Sequence, residues 1–177
     1  MSDDGCFAER EAAFYDRDHC VDAATLDASV AFLTALAGGA PVLEFAIGAG
    51  RVALPLARQG IEVHGIELSR AMVAKLREKE GGANIAVTIG DMAATQVSGQ
   101  FGLVYLVFNT ISNLTTQEAQ VACLRNSAAH ITIGGCFVVE NAIPPLQRLP
   151  PGETRIAFER SDQSELAYGS LRWRGGI

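Results

Sequence analysis

The chain has 177 residues, 49% hydrophobic and 19% charged, enough to build one buried core and too apolar for a disordered segment. Its formal net charge is -6 with Lys and Arg scattered along it, which argues against a surface that coats nucleic acid. Cys6, Cys20, Cys123 and Cys136 show neither CxxC spacing nor a histidine in ligand register, so no metal site or disulfide framework is expected, and free thiols suit a reducing cytoplasm.

The start, Met1-Ser2-Asp3-Asp4, is acidic and lacks the basic segment and apolar core of a secretion signal. No apolar run approaches the roughly 18 residues of a membrane span, so a cytoplasmic protein without a membrane partner is expected. Residues 7–18 place Phe7, Phe14 and Tyr15 among charges, in the manner of a short amphipathic helix or arm. Asp22 is the expected N-cap of a firmer helix with Leu26, Val30, Leu33 and Ala37 on one face, Phe32 and Leu36 widening that face, and Gly38-Gly39 ending it.

A first strand is expected over 41–47, then a glycine loop, then a helix over 51–59 in which Pro55 falls early enough to be tolerated. Residues 61–67 read as a second strand ending in Glu67, after which Ser69 caps a helix with Met72, Val73 and Leu76 inside. Asn84 to Gly90 is a third strand, Asp91 to Gln100 a loop, and Phe101 to Phe108 a near-continuous apolar fourth strand of the kind a parallel sheet buries on both faces. Thr115-Thr116-Gln117-Glu118 has the pattern of a capping box, opening a helix expected to bury Val121, Leu124, Ala128 and Ile131. Gly134-Gly135 then turns into a fifth strand, Cys136 to Asn141. Strands alternating with helices imply right-handed crossovers and a doubly wound parallel sheet. Beyond it, Pro144, Pro145, Pro150 and Pro151 punctuate an irregular passage, and 154–160 and 166–174 read as two antiparallel strands.

In such a sheet a ligand sits beyond the carboxyl ends of the strands, where strand order reverses. Gly48-x-Gly50-x-x-Ala53 is a nucleotide-type turn at the first of those ends, where the backbone turns sharply and the next helix offers unpaired N–H groups. Three carboxylates mark the successive tips: Glu44, Glu67 and Asp91. Glu67 stands 17 residues past Gly50, where a carboxylate accepts ribose hydroxyls. Asp91 lies one strand further out, placed for the exocyclic amine of an adenine with Met92 against the base. Glu44, inside the turn, repels a pyrophosphate and attracts an ammonium or sulfonium.

The run Val42 to Arg51, the segments Gly65 to Ser69 and Ile89 to Met92, and the stretch Leu103 to Asn109 resemble, in order and spacing, class I S-adenosylmethionine-dependent methyltransferases. The resemblance covers about residues 40–142, and Phe14-Tyr15-Asp16 together with Phe108 to Leu114 are similar to the small-molecule branch. It implies a Rossmann-like sheet of order 3-2-1-4-5 within a single domain: helices over 1–40, a cofactor-binding core over 41–142, and a partial flap or reduced terminal hairpin over 143–177. It further implies S-adenosylmethionine as cofactor, with Glu44, Ala46, Gly48, Ala49 and Gly50 on its methionine part, Glu67 on the ribose, Asp91 and Met92 on the adenine, and Leu68 and Phe108 in the same binding set. Asn109 would lie near the transferable methyl and Tyr15 would close over the cofactor. Ala46 departs from the family, which most often has its first loop glycine there. The short C-terminus departs as well, and an uncovered fifth strand would offer an edge for a homodimer.

Methyl transfer from a sulfonium to a nitrogen or oxygen of a small acceptor needs alignment more than a nucleophilic side chain. The fourth strand is not followed by the Asp/Asn-Pro-Pro-aromatic tetrad of nucleic-acid base methylation. Two rival readings stand beside this one: an NAD(P)-dependent oxidoreductase, whose fingerprint shares the glycines and the later carboxylate, and a catalytically inactive domain or fragment of the same fold. The histidines His19, His64 and His130 are expected to be structural.

Overall fold

Residues 22–141 are described by the computed structural model, all within Met1–Asn141, the first of two compact units; the second is Ala142–Ile177. The expected arm with Phe7, Phe14 and Tyr15 and the two expected C-terminal strands lie outside the described residues.

Asp22 starts helix α1 (Ala23–Ala37) by accepting the Thr25 N–H, and Gly38 ends it in a left-handed cap whose N–H donates to the Thr34 carbonyl. Val30, Leu33 and Ala37 are buried, as their spacing predicts. Phe32 and Leu36 do not widen that face: they are 56% and 40% exposed. Spaced four apart, they form their own stripe about 100° around the helix from Leu33 and Ala37, turned toward solvent.

Strand β1 (Val42–Phe45) leads through the glycine loop into helix α2 (Ala53–Arg58) and strand β2 (Val63–Glu67). Ser69 then caps helix α3 (Arg70–Glu78) by accepting the Met72 N–H, burying Met72 and Leu76 while Val73 stays half-buried. Strand β3 (Ala86–Ile89) follows a short 3₁₀ turn, and strand β4 (Phe101–Leu106) is buried at all but one position. After helix α4 (Gln117–His130) comes strand β5 (Ile131–Val139). All four pairings are parallel and the order is β3-β2-β1-β4-β5, the doubly wound topology implied by the sequence.

Alternation along the strands sends side chains to two layers. Val42, Val63, Leu103 and Tyr105 pack with α1, α2 and Leu76 of α3, whereas Leu43, Phe45, Ile66, Val104 and Leu106 pack with Cys123 of α4.

Three expectations about the last βα unit are corrected. The N-cap is Thr116, which accepts the Ala119 N–H, so the position a capping box would give to a Glu or Gln holds alanine and the reciprocal bond is not formed. The buried face is Cys123, Asn126, Ser127 and His130, while Leu124 and Ala128 are exposed and Val121 only half-buried. That face keeps the helical spacing of a core stripe but carries polar groups, because α4 packs over both the sheet and the segment following β3. Asn126 Nδ2 donates to the carbonyls of Met92 and Thr95 at 2.9 Å each, and its Oδ1 accepts from Gln96 Nε2. His130 Nε2 accepts the Val97 N–H at 3.0 Å while Nδ1 donates to the Asn126 carbonyl at 2.8 Å, fixing the neutral Nδ1–H tautomer. Finally, Gly134-Gly135 is no turn before a strand. It is an irregularity inside β5, which already pairs Ile131 with Phe101 and resumes at Cys136 opposite Leu103. Gly134 takes φ +86° there, and a Cβ at Gly135 would lie 2.7 Å from the Gly102 carbonyl oxygen.

Candidate functional site

The carboxyl ends of β1 and β4, the central pair, carry the three non-glycine residues with positive φ among those described: Ala46 at +53°, Phe108 at +59° and Asn109 at +57°. Each costs on the order of 1 kcal/mol or more for an L-residue, and such strain persists where surrounding contacts over-determine it. The departure of Ala46 from glycine thus has a backbone consequence as well as an added methyl. Gly48 and Gly50 continue the loop at φ +56° and +77°.

Gly50 is also closed sterically, since a Cβ there would meet Leu76 Cδ1 at 2.3 Å and Leu54 Cγ at 3.2 Å. Gly50→Ala is therefore expected to destabilise the fold by about 2 kcal/mol or more through combined strain and overpacking. Urea unfolding checks this as a lowered midpoint with an unchanged slope.

Glu67, at the tip of β2, is only 7% exposed. Its Oε2 accepts the Gly48 N–H at 2.7 Å and its Oε1 the Ser69 N–H at 2.9 Å, so it ties the glycine loop to the start of α3. Burial pushes its carboxyl above the ordinary range, opposed by the N–H groups of Ser69, Gly48 and Leu68. Leu68 beside it is 40% exposed, an apolar side chain presented at the strand tip.

Glu44 is 4% exposed and stands in register with Tyr105, whose hydroxyl donates to Oε2 at 2.9 Å. Burial first, and the negative charge of Glu67 as well, raise its carboxyl to about 8, while the Tyr105 hydroxyl, Arg51 and the Ala53 N–H at the start of α2 pull it down. Tyr105 shifts in the same direction, its hydroxyl held well above the ordinary range by burial and by Glu44. Ala49 is buried, packing with Met72.

Asp91 differs from this pair in being exposed. The Gly90 N–H donates to the Glu67 carbonyl at 2.9 Å, setting Asp91 beside the β2 tip, but its side chain is exposed and its Oδ1 accepts the Ala93 N–H at 2.8 Å. The Cys123 thiol, in the layer beneath α4, is pushed up to about 11 by burial and then by the charge of Asp91. Met92 is buried against Phe45 and Ile66 in the same layer. Glu44 and Glu67 are thus brought together, and Asp91 is exposed beside the β2 tip.

At the tip of β4, Phe108 donates its N–H to Glu140 Oε2 at 3.0 Å, and the Arg51 guanidinium lies 4.5 Å from its ring centroid. Asn109 precedes a 3₁₀ turn over Thr110–Asn113, and its Oδ1 accepts the Ser112 hydroxyl at 3.0 Å. Tyr15 lies outside the described residues. His64 is structural: Nε2 meets Glu62 Oε1 at 2.9 Å and the ring stacks edge-on with Phe101.

Sequence reasoning missed Tyr105 and Glu140. Tyr105 is the polar aromatic in an otherwise aliphatic run, and Glu140 ends the run Phe137-Val138-Val139 just as Glu67 ends β2.

The methyltransferase-domain family profile matches residues 42–135. The cypemycin N-terminal methyltransferase of a Streptomyces species is 26% identical over 117 residues, 66% of this chain and 48% of the relative. Among solved structures, the CcbJ methyltransferase from Streptomyces caelestis superposes with a TM-score of 0.68 at 34% identity, covering 77% of this chain and 57% of that one. The glycopeptide N-methyltransferase MtfA complexed with S-adenosyl-L-methionine follows at a TM-score of 0.59 and 28% identity, covering 71% and 52%. The chain spans about half the length of these proteins.

Proposed function

The chain belongs to the methyltransferase-domain family, and from that premise we propose that it transfers a methyl group from S-adenosylmethionine to a nitrogen or oxygen of a small-molecule acceptor. The observation that carries the reading is the fastening of a strand-tip carboxylate, Glu67, to the N–H of Gly48 in the glycine loop. A carboxylate has about four acceptor positions; the Gly48 and Ser69 N–H groups occupy one on each oxygen and the Leu68 N–H also acts on it, which leaves acceptor capacity for a ribose hydroxyl. The residues present fit the cofactor on this ground. When bound, S-adenosylmethionine supplies a methyl group on a sulfonium.

The chain's own residues bind and align. Glu44, drawn toward ionisation by a nearby cation, balances the positive methionine end beneath the loop of Ala46, Gly48, Ala49 and Gly50. Leu68, Asp91 and Met92 hold the adenine, Asp91 accepting its amine on the carboxylate oxygen that the Ala93 N–H does not use. Phe108, pinned by Glu140 and Arg51, fixes the strained turn that presents Asn109 toward the acceptor. An amine acceptor is favoured because MtfA, 28% identical, is named a glycopeptide N-methyltransferase. Such an acceptor needs only to be aligned with its lone pair toward the methyl and to lose a proton, so no strong base is required.

Calorimetric titration of the full chain tests the reading: S-adenosylhomocysteine is expected to bind and NADH not to. Binding of NADH with no response to S-adenosylhomocysteine favours the oxidoreductase alternative and overturns the proposal. Binding of S-adenosylhomocysteine without transfer to any amine or hydroxyl of an acceptor library favours an inactive domain.

A further inference from the structure

Asn126 and His130 occupy positions on α4 where a core-facing helix ordinarily places leucine or alanine, and burying an amide and an imidazole there is costly unless every polar atom finds a partner. The partners form a pattern. Asn126 is 4% and His130 2% exposed, and apart from the bond linking the two, their side-chain bonds go to one segment, residues 92–97: two carbonyls, one N–H and one side-chain amide. This segment follows β3 without a ladder or helix of its own, so these side chains supply partners that secondary structure would otherwise supply. Asp91 immediately precedes it, and Gly90 before that leaves room for Thr95, whose Oγ1 would lie 2.0 Å from a Cβ at that position.

We propose that Asn126 and His130 are positioning residues that latch the segment after β3 to α4 and thereby set the affinity for the adenine end of the cofactor. The inference rests on the function proposed above and extends it to a helix from which no cofactor-binding residue has been assigned. The latch acts through backbone: with its carbonyls tied at Met92 and Thr95 and its N–H at Val97, the segment is pre-ordered, and binding does not have to supply that order. Ser127, on the same buried face at 2% exposure, bonds only back to the Leu124 carbonyl of its own helix and serves as the internal control.

The experiment is calorimetry well below the unfolding midpoint, with S-adenosylhomocysteine and with 5′-methylthioadenosine, which keeps the adenosine end and lacks the amino-acid end. Asn126→Leu removes all three side-chain bonds and is expected to weaken both ligands by the same factor, about tenfold. His130→Leu is expected to do likewise, while His130→Gln, whose side-chain oxygen can still accept the Val97 N–H, is expected to restore binding to within about threefold of wild type. Ser127→Ala is expected to leave both affinities unchanged whatever it does to the unfolding midpoint. Gln96→Ala alters an exposed member of the network and keeps the test alive if the buried variants do not fold, with an expected loss of about threefold. Wild-type affinity in the folded variants overturns the latch, as does an equal loss in Ser127→Ala. A wild-type chain that binds neither ligand overturns the proposed function and the latch with it.

Discussion

Glu67→Gln is expected to weaken S-adenosylhomocysteine binding by about 3 kcal/mol, a hundredfold or more in Kd. The Gly48 and Ser69 N–H groups each donate to a separate oxygen of this carboxylate, and the Leu68 N–H acts on it as well. An amide offers one oxygen and turns an NH₂ group toward the other N–H. A buried donor is then left facing a donor, whose cost is the full desolvation penalty of an unsatisfied group. The disruption falls on Gly48, in a loop already held in left-handed backbone on either side of it, so the glycine turn loosens as the ribose acceptor is lost. Asp91→Ala should cost less, about 1 kcal/mol, because the Asp91 carboxylate is exposed and already engaged with the Ala93 N–H. Calorimetry on both variants checks the ranking, and a Glu67→Gln affinity within threefold of wild type would remove Glu67 from the site.

Strand order, parallel pairing and the tip positions of Glu44 and Glu67 were legible because they rest on period and punctuation. Apolar runs of four to eight residues between glycines and caps leave little choice in a βα repeat. What escaped the reading depended on pairs distant in sequence. Tyr105 meets Glu44 across 61 positions through strand register, and nothing local marks that contact. The face of α4 failed for a related reason: hydrophobicity selects the stripe of Val121, Leu124 and Ala128, yet the helix buries Asn126 and His130 because the bonding groups they satisfy lie about 30 residues upstream. A polar residue at core spacing costs nothing extra once partnered, and sequence pattern alone does not show the partner. The strain at Phe108 and Asn109 was equally hidden, since it follows from how the β4 turn is held by Glu140 and Arg51.

Glu44 should make the stability of this protein fall as pH rises, the reverse of the usual carboxylate. Its carboxyl is raised from an ordinary value of 4.5 to about 8 in the folded chain, chiefly by burial. Between those values the native state holds a proton that the unfolded state releases, so unfolding becomes easier with each step up in pH. The contribution is present in full below about pH 4.5 and is lost as pH passes through about 8. Glu67, also raised, acts in the same direction. Glu44→Gln removes the titration of residue 44 while its side-chain oxygen still accepts the Tyr105 hydroxyl. Urea unfolding at pH 5, 6.5 and 8 is expected to show wild type losing on the order of a few kcal/mol more than the variant over that range. Parallel profiles would mean that Glu44 titrates as an ordinary carboxylate. The same proton bears on the proposed function, because a cation beside Glu44 favours its ionised form. Affinity for S-adenosylmethionine should therefore rise from pH 6 to 8 in wild type, as the proton that binding must displace becomes easier to lose, and should stay nearly level in Glu44→Gln.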